Sequence, residues 1–159
     1  MSKIQKTNAM RQLDKANINY ETIEYEVDEN DLSGIHIAET TGMNPDIMFK
    51  TLVAKGEKSG PLVFCIPVNL ELDLKKCAAA VKDKRVELIP VKELLGLTGY
   101  IRGGCSPIGM KKKFPTFFDE SALLYDKITV SAGVRGCQLL IDREKLISYI
   151  NAELFNLTV

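Results

Sequence analysis

Phe49-Lys50-Thr51-Leu52-Val53-Ala54, the turn Gly56-Glu57-Lys58-Ser59-Gly60 and the run Leu62-Val63-Phe64-Cys65-Ile66-Pro67 form the stretch whose reading decides the fold. Two short runs rich in apolar, β-branched and aromatic residues flank a polar turn bounded by glycines, which predicts a β-hairpin. Upstream, residues 7–17 carry Met10, Leu13 and Ala16 near helical spacing, and residues 20–27 read as a strand. Residues 32–41 form a short helix around Ile35, Ile37 and Ala38, stopped by Gly42, and Asn44 caps a further turn that begins with Pro45. Downstream, Asp73 caps a helix over 74–81, residues 86–89 are a short strand, and 91–95 a short helix. Residues 114–118, 128–131 and 137–141 are β-like, and Asp142 caps a terminal helix running to 155. Helices and strands interleave irregularly, with neighbours close enough for antiparallel pairing. That predicts an α+β fold with a mixed sheet flanked by helices, not a doubly wound one.

With 159 residues and no repeat or linker, the chain reads as a single domain over 1–159. Apolar residues make up 45% and charged residues 26%, ordinary globular usage. No apolar run approaches the ~20 residues of a membrane span. Met1-Ser2-Lys3-Ile4-Gln5-Lys6 lacks the apolar stretch of a signal peptide, so a cytoplasmic protein is expected. Twenty-one basic residues balance twenty-one acidic ones, which excludes the net basic surplus of a protein that clamps long duplexes. Any polynucleotide contact must use a local patch and be salt-sensitive. Cys65, Cys77, Cys105 and Cys137 form no CxxC pair, so neither a zinc site nor a disulfide framework is expected. His36 is the only histidine, which leaves nucleophilic dyads undersupplied.

Three features carry candidate chemistry. Gly103-Gly104-Cys105-Ser106-Pro107-Ile108-Gly109 is a glycine-rich loop that runs directly into Met110 and then Lys111-Lys112-Lys113. Open backbone beside concentrated charge suits an anionic or carbonyl-bearing ligand, and the lysines read as phosphate contacts or as a solvated run. Lys50 opens an apolar strand, and its ammonium either enters a pocket or reaches back to water. Ser131-Ala132-Gly133-Val134-Arg135-Gly136 is a second glycine turn, in which Ser131 can hydrogen-bond a ligand and Arg135 can hold an anion. Cys105 reads as a loop residue first and a nucleophile second.

Four segments in this order resemble the YbaK/EbsC family of Cys-tRNA(Pro)/Cys-tRNA(Cys) deacylases, which is related to the editing domain of bacterial prolyl-tRNA synthetases. They are Phe49-Lys50-Thr51-Leu52-Val53, Leu72-Asp73-Leu74-Lys75-Lys76, residues 98–109 and Val130-Ser131-Ala132-Gly133-Val134-Arg135-Gly136. The resemblance implies a mixed sheet curling toward a barrel and hydrolysis of cysteine from mischarged tRNA(Pro), without cofactor or metal. It makes Lys50 the essential residue and puts Gly103, Gly104 and Ser131 at catalytic positions. Tyr25, Ser33, Thr51, Ser106, Gly133, Arg135 and Gln138 fall at substrate-binding positions, and Lys111, Lys112 and Lys113 meet tRNA phosphates. Ser33, where the family can carry an aromatic residue, and Gln138, where some members are acidic, are departures that bear on specificity. In the cysteine-specific mechanism the substrate's own thiol attacks its ester, so the enzyme need supply no nucleophile. The implied partners are the acceptor end of mischarged tRNA(Pro) and prolyl-tRNA synthetase, with no membrane. An Ala-tRNA(Pro) deacylase, a non-catalytic tRNA or synthetase binding module and a Cys105-dependent thiol hydrolase are the alternatives.

Overall fold

The computed structural model describes residues 5–159, so Met1 to Ile4 of the polar leader discussed above lie outside the described residues. In chain order the elements are α1 (Asn8–Lys15), β1 (Tyr20–Glu24), α2 (Gly34–Thr41), β2 (Phe49–Gly56), β3 (Gly60–Pro67), α3 (Leu74–Ala80), β4 (Val86–Leu88), α4 (Val91–Thr98), β5 (Thr116–Asp119), β6 (Lys127–Ser131), β7 (Cys137–Asp142), α5 (Arg143–Ile150) and β8 (Glu153–Phe155). Several helix starts follow from their caps. The Thr7 hydroxyl accepts from Met10 N at 3.2 Å, Ser33 accepts from His36 N at 3.3 Å, and Asp73 accepts from Lys75 and Lys76 N at 3.0 and 3.2 Å.

The predicted hairpin forms, with β2 and β3 paired in register from Phe49↔Pro67 to Gly56↔Gly60. It is the centre of a mixed sheet ordered β4-β2-β3-β5-β8, in which β3–β5 and β5–β8 are parallel. A second, antiparallel sheet is ordered β1-β7-β6. Among the described residues the two are not closed into a barrel; one parallel bridge, Met48↔Thr129, links them. One core lies where they meet α1 and α5, around Leu13, Phe49, Phe118, Ile128, Leu139 and Leu146. A second lies between the hairpin sheet and α3, where Phe64 stacks on Phe117 with ring centroids 5.4 Å apart. Each such side chain contributes about 1.5–3 kcal/mol on full burial.

The terminal helix stops five residues short of the predicted 155. Asn151 takes a left-handed φ of +55° and ends α5, which asparagine tolerates better than most residues. Residues 153–155 then become an edge strand against β5, and Leu157 is fully buried beyond it. The strand expected over 20–27 ends at Glu24, although Tyr25 N still donates to Gly136 O at 2.9 Å. Among the described residues, no helix is long and apolar enough to cross a membrane.

Candidate active site

On the side of β2 away from β3, β4 pairs only with Ala54, Lys55 and Gly56. Between the Met48 bridge and the Ile89 N–Val53 O hydrogen bond of 3.1 Å, this edge of β2 has no strand partner among the described residues. A cleft of about 410 Å³ opens there, with α4, the start of α2 and the glycine loop around it. Lys50 and Thr51 line it from β2, Ser33 and Gly34 from α2, Gly103 and Cys105 from the loop, and Ser131 and Gln138 from the second sheet.

Lys50 is half-buried, and among the described residues no carboxylate hydrogen-bonds it. Burial holds its ammonium below the ordinary lysine value, while the charge of Glu71 pulls the other way. The Thr51 hydroxyl lies 3.7 Å from the Cys65 sulfur. Gln138 is buried, and its Oε1 accepts from the Thr129 hydroxyl at 3.4 Å. The Ser131 hydroxyl accepts from Gly133 N at 3.1 Å, which fixes the second glycine turn. At the start of α2, a Cβ on Gly34 would stand 2.3 Å from Val68 Cγ1, so only glycine lets this helix start pack against the end of the hairpin.

Other residues predicted for the site sit elsewhere or are engaged. Gly104 N donates to Ile101 O at 2.9 Å, and the residue packs on the backbone of Val134 and Arg135, outside the cleft lining. Ser106 is fully buried and accepts from Ile108 N at 3.3 Å. Gly133 faces the Tyr100 ring. Tyr25 packs beside Ile37, Ala38, Met48 and Val68 and borders a shallow hollow next to the cleft. Arg135 shares that hollow and acts as a clamp: Nε donates to Arg102 O at 2.8 Å and Nη1 pairs with Glu29 at 3.1 Å. His36 also lies there, 3.4 Å from Asp28 and 3.7 Å from Asp31, and it does not line the cleft. Lys111, Lys112 and Lys113 are exposed. Lys112 and Lys113 border a separate groove of about 310 Å³ with Met110, Phe114 and Tyr149, which shares no residue with the cleft.

The Cys105 thiol does line the cleft, but burial pushes it up to about 12, so it is protonated at neutral pH. Thiolate chemistry at Cys105 is thereby disfavoured.

Sequence reasoning missed one wall of the cleft, made by Leu88, Ile89, Val91 and Leu94, and it missed Gly34, Val68 and Arg102. The apolar residues gave no local signal, because their role depends on where β4 stops. The lining as a whole contains Lys50 and Arg102 but no Asp or Glu. A cleft with two cations and no carboxylate, in a chain of zero net charge, suits a ligand that is anionic or carries a polarisable carbonyl.

The aminoacyl-tRNA editing domain family matches residues 35–149, which contain nearly all of this lining. An Enterococcus faecalis protein, EbsC, provisionally assigned as a Cys-tRNA(Pro)/Cys-tRNA(Cys) deacylase, is 48% identical over 154 residues, covering 97% of this chain and 94% of its own. Among solved structures, one provisionally assigned as a trans-editing enzyme for prolyl-tRNA synthetase superposes with a TM-score of 0.80 at 22% identity, covering 95% of this chain and 92% of that one. A hypothetical protein superposes with a TM-score of 0.87 at 17% identity over 96% of this chain and 100% of that one. At such identities the structural likeness speaks for the fold alone. The family match and the EbsC relative go further: this chain belongs to the aminoacyl-tRNA editing domain family.

Proposed function

We propose that the chain is a deacylase that hydrolyses cysteine mis-attached to tRNA(Pro), with the aminoacyl end in the cleft along β2. The observation that carries this reading is a cleft that holds a half-buried lysine and polar groups but no ionised nucleophile, in a chain 48% identical to EbsC. Such a site fits a substrate that brings its own nucleophile. The cysteinyl sulfur attacks its own carbonyl carbon and a C–S bond forms. The ester C–O bond to ribose breaks, and the thiol proton passes to the leaving ribose hydroxyl. Water then opens the released cyclic thioester to cysteine.

The work left to the protein is orientation and charge stabilisation. Lys50 supplies positive potential beside the ester, Gly103 lets backbone approach it, and Thr51, Ser131 and Gln138 bracket the amino acid. Removing one well-placed oxyanion donor from such a site typically costs ~100-fold or more in rate. Residues 1–159 would act as one editing domain in the cytoplasm, with prolyl-tRNA synthetase as the partner that supplies tRNA selection.

The test follows ester loss from Cys-tRNA(Pro), Ala-tRNA(Pro) and Cys-tRNA(Cys) with wild type, Lys50→Ala and Cys105→Ala. Loss from the cysteinyl esters that Lys50→Ala abolishes and Cys105→Ala largely retains is the expected result. No turnover of any ester overturns the enzyme reading in favour of a binding module, and an inactive, folded Cys105→Ala overturns the substrate-thiol mechanism. Faster loss from Ala-tRNA(Pro) than from either cysteinyl ester reassigns the substrate.

A further inference from the structure

Lys112 and Lys113 border a groove that shares no residue with the cleft, and Lys111 does not line the cleft either, so none of the three stands beside a group bound in it. That leaves the mouth of the cleft to Arg102. Its side chain is exposed, lines the cleft, and among the described residues makes no ion pair or hydrogen bond. Three other arginines behave differently: Arg135 pairs with Glu29, Arg85 pairs with Glu87, and Arg143 Nε bonds Tyr125 O at 3.2 Å. The backbone under Arg102 is nevertheless fixed, because its carbonyl is held by Arg135 Nε at 2.8 Å and Ile101 O by Gly104 N at 2.9 Å. A guanidinium left unpaired on a clamped loop, with no carboxylate in the lining, is a site prepared for an anion. In the same lining, Leu88 and Val91 stand 49% and 60% exposed, so their side chains offer the cleft an open apolar surface.

We propose that Arg102 holds the phosphate on the 5′ side of the aminoacylated adenosine, while Leu88 and Val91 take the face of its base. The assignment rests on the deacylase reading for the identity of the nucleotide. It divides labour in the cleft: Lys50, half-buried, faces the ester, and Arg102 reads the polynucleotide end. A guanidinium–phosphate pair is the strong, bidentate kind of contact, and exposed apolar side chains can pack on a base face.

Adenosine 5′-monophosphate carries this phosphate and adenosine lacks it, so the pair probes Arg102 without any ester chemistry. In NMR titrations, wild type should bind the monophosphate about tenfold more tightly than adenosine, and the preference should weaken with salt. Arg102→Ala should erase the preference and Arg102→Lys should keep part of it. Equal binding of the two probes by wild type, or a preference that survives in Arg102→Ala, overturns the assignment. A second readout is the ratio of kcat/KM for a cysteinyl trinucleotide ending in CCA over that for cysteinyl-adenosine. The ratio should fall about tenfold in Arg102→Ala, and an unchanged ratio counts against Arg102. Should wild type cleave neither ester and still show an Arg102-dependent phosphate preference, the deacylase reading fails and the nucleotide site stands. Turnover without that preference has the opposite meaning.

Discussion

Replacing Lys50 by methionine should give a protein that is inactive and more stable. Burial holds the Lys50 ammonium below its ordinary value of 10.5, with Glu71 opposing. Folding therefore disfavours the charged form. The penalty is fully present at pH values below the lowered folded pKa and fades as pH rises from there toward 10.5. Burying a polar group costs about 1–3 kcal/mol by mutational measures, and water reaching the exposed half of this side chain screens the figure to about 1 kcal/mol. For a chain of this length that corresponds to roughly 2–4 °C in Tm. Methionine keeps the length and apolar stem of lysine without the charge. Thermal melts of wild type and Lys50→Met near neutral pH should show the variant melting higher, with the gap closing as pH approaches 10. Ester loss from Cys-tRNA(Pro) should vanish in the same sample. A variant that melts lower than wild type near neutral pH, or a gap that widens in base, refutes the claim that Lys50 is held there against the preference of the fold.

Three further outcomes can be checked. Cys105→Ala should keep most of the deacylation rate and lose about 1 kcal/mol of stability as a small cavity, and in the folded wild type the thiol should resist iodoacetamide, read by mass spectrometry, because burial pushes it up to about 12. Gly34→Ala should cost about 1–3 kcal/mol in chemical denaturation, since its Cβ would lie 2.3 Å from Val68 Cγ1; an unchanged midpoint would show that α2 is free to move. Asp83 accepts from Lys58 N at 3.0 Å, Ser59 N at 2.9 Å and the Ser59 hydroxyl at 2.7 Å, which hold its carboxyl well below 3.8. The stability this adds is present above 3.8 and lost as pH falls below it, so the Tm gap between wild type and Asp83→Asn should close in acid; a gap independent of pH would assign it to packing.

Local chemistry explains which parts of the molecule were legible in the chain. The hairpin from Phe49 to Pro67 and the helix start at Asp73 rest on turn residues and a cap within a few positions, and they form where expected. The helices expected over 7–17 and 32–41 begin slightly later, at Asn8 and Gly34, because Thr7 and Ser33 are spent as caps. β8 rests on pairing with β5, more than thirty residues away, and on the left-handed turn at Asn151, so its apolar residues read as the end of a helix. The candidate site divides along the same line. Lys50, Thr51, Gly103, Ser131 and Gln138 do converge on one cleft. The resemblance also puts Gly104 and Ser106 at the site; in the fold they lie outside the cleft lining, with Gly104 N donating to Ile101 O and the Ser106 hydroxyl accepting from Ile108 N. Lys111 to Lys113 adjoin the loop in sequence, yet the buried stretch from Gly104 to Ile108 separates them from the cleft. Arg102 passed unnoticed because nothing local marks a side chain as unpaired.

The two walls of the cleft differ in stiffness. β2 is zipped along its length to β3 and buries Phe49, Val53 and Ala54, whereas α4 buries only Thr98 and rests Leu94 and Leu97 on a small cluster around Tyr100. An element so lightly attached opens by local fluctuation at a fraction of the cost of global unfolding, and its amides should exchange with deuterium well before those of the strand opposite. Entry and exit of a bulky nucleic-acid end can then proceed by swinging the helix aside while the strand that carries Lys50 stays fixed. Turnover and dwell time become properties that substitutions along α4 can tune without disturbing the sheet.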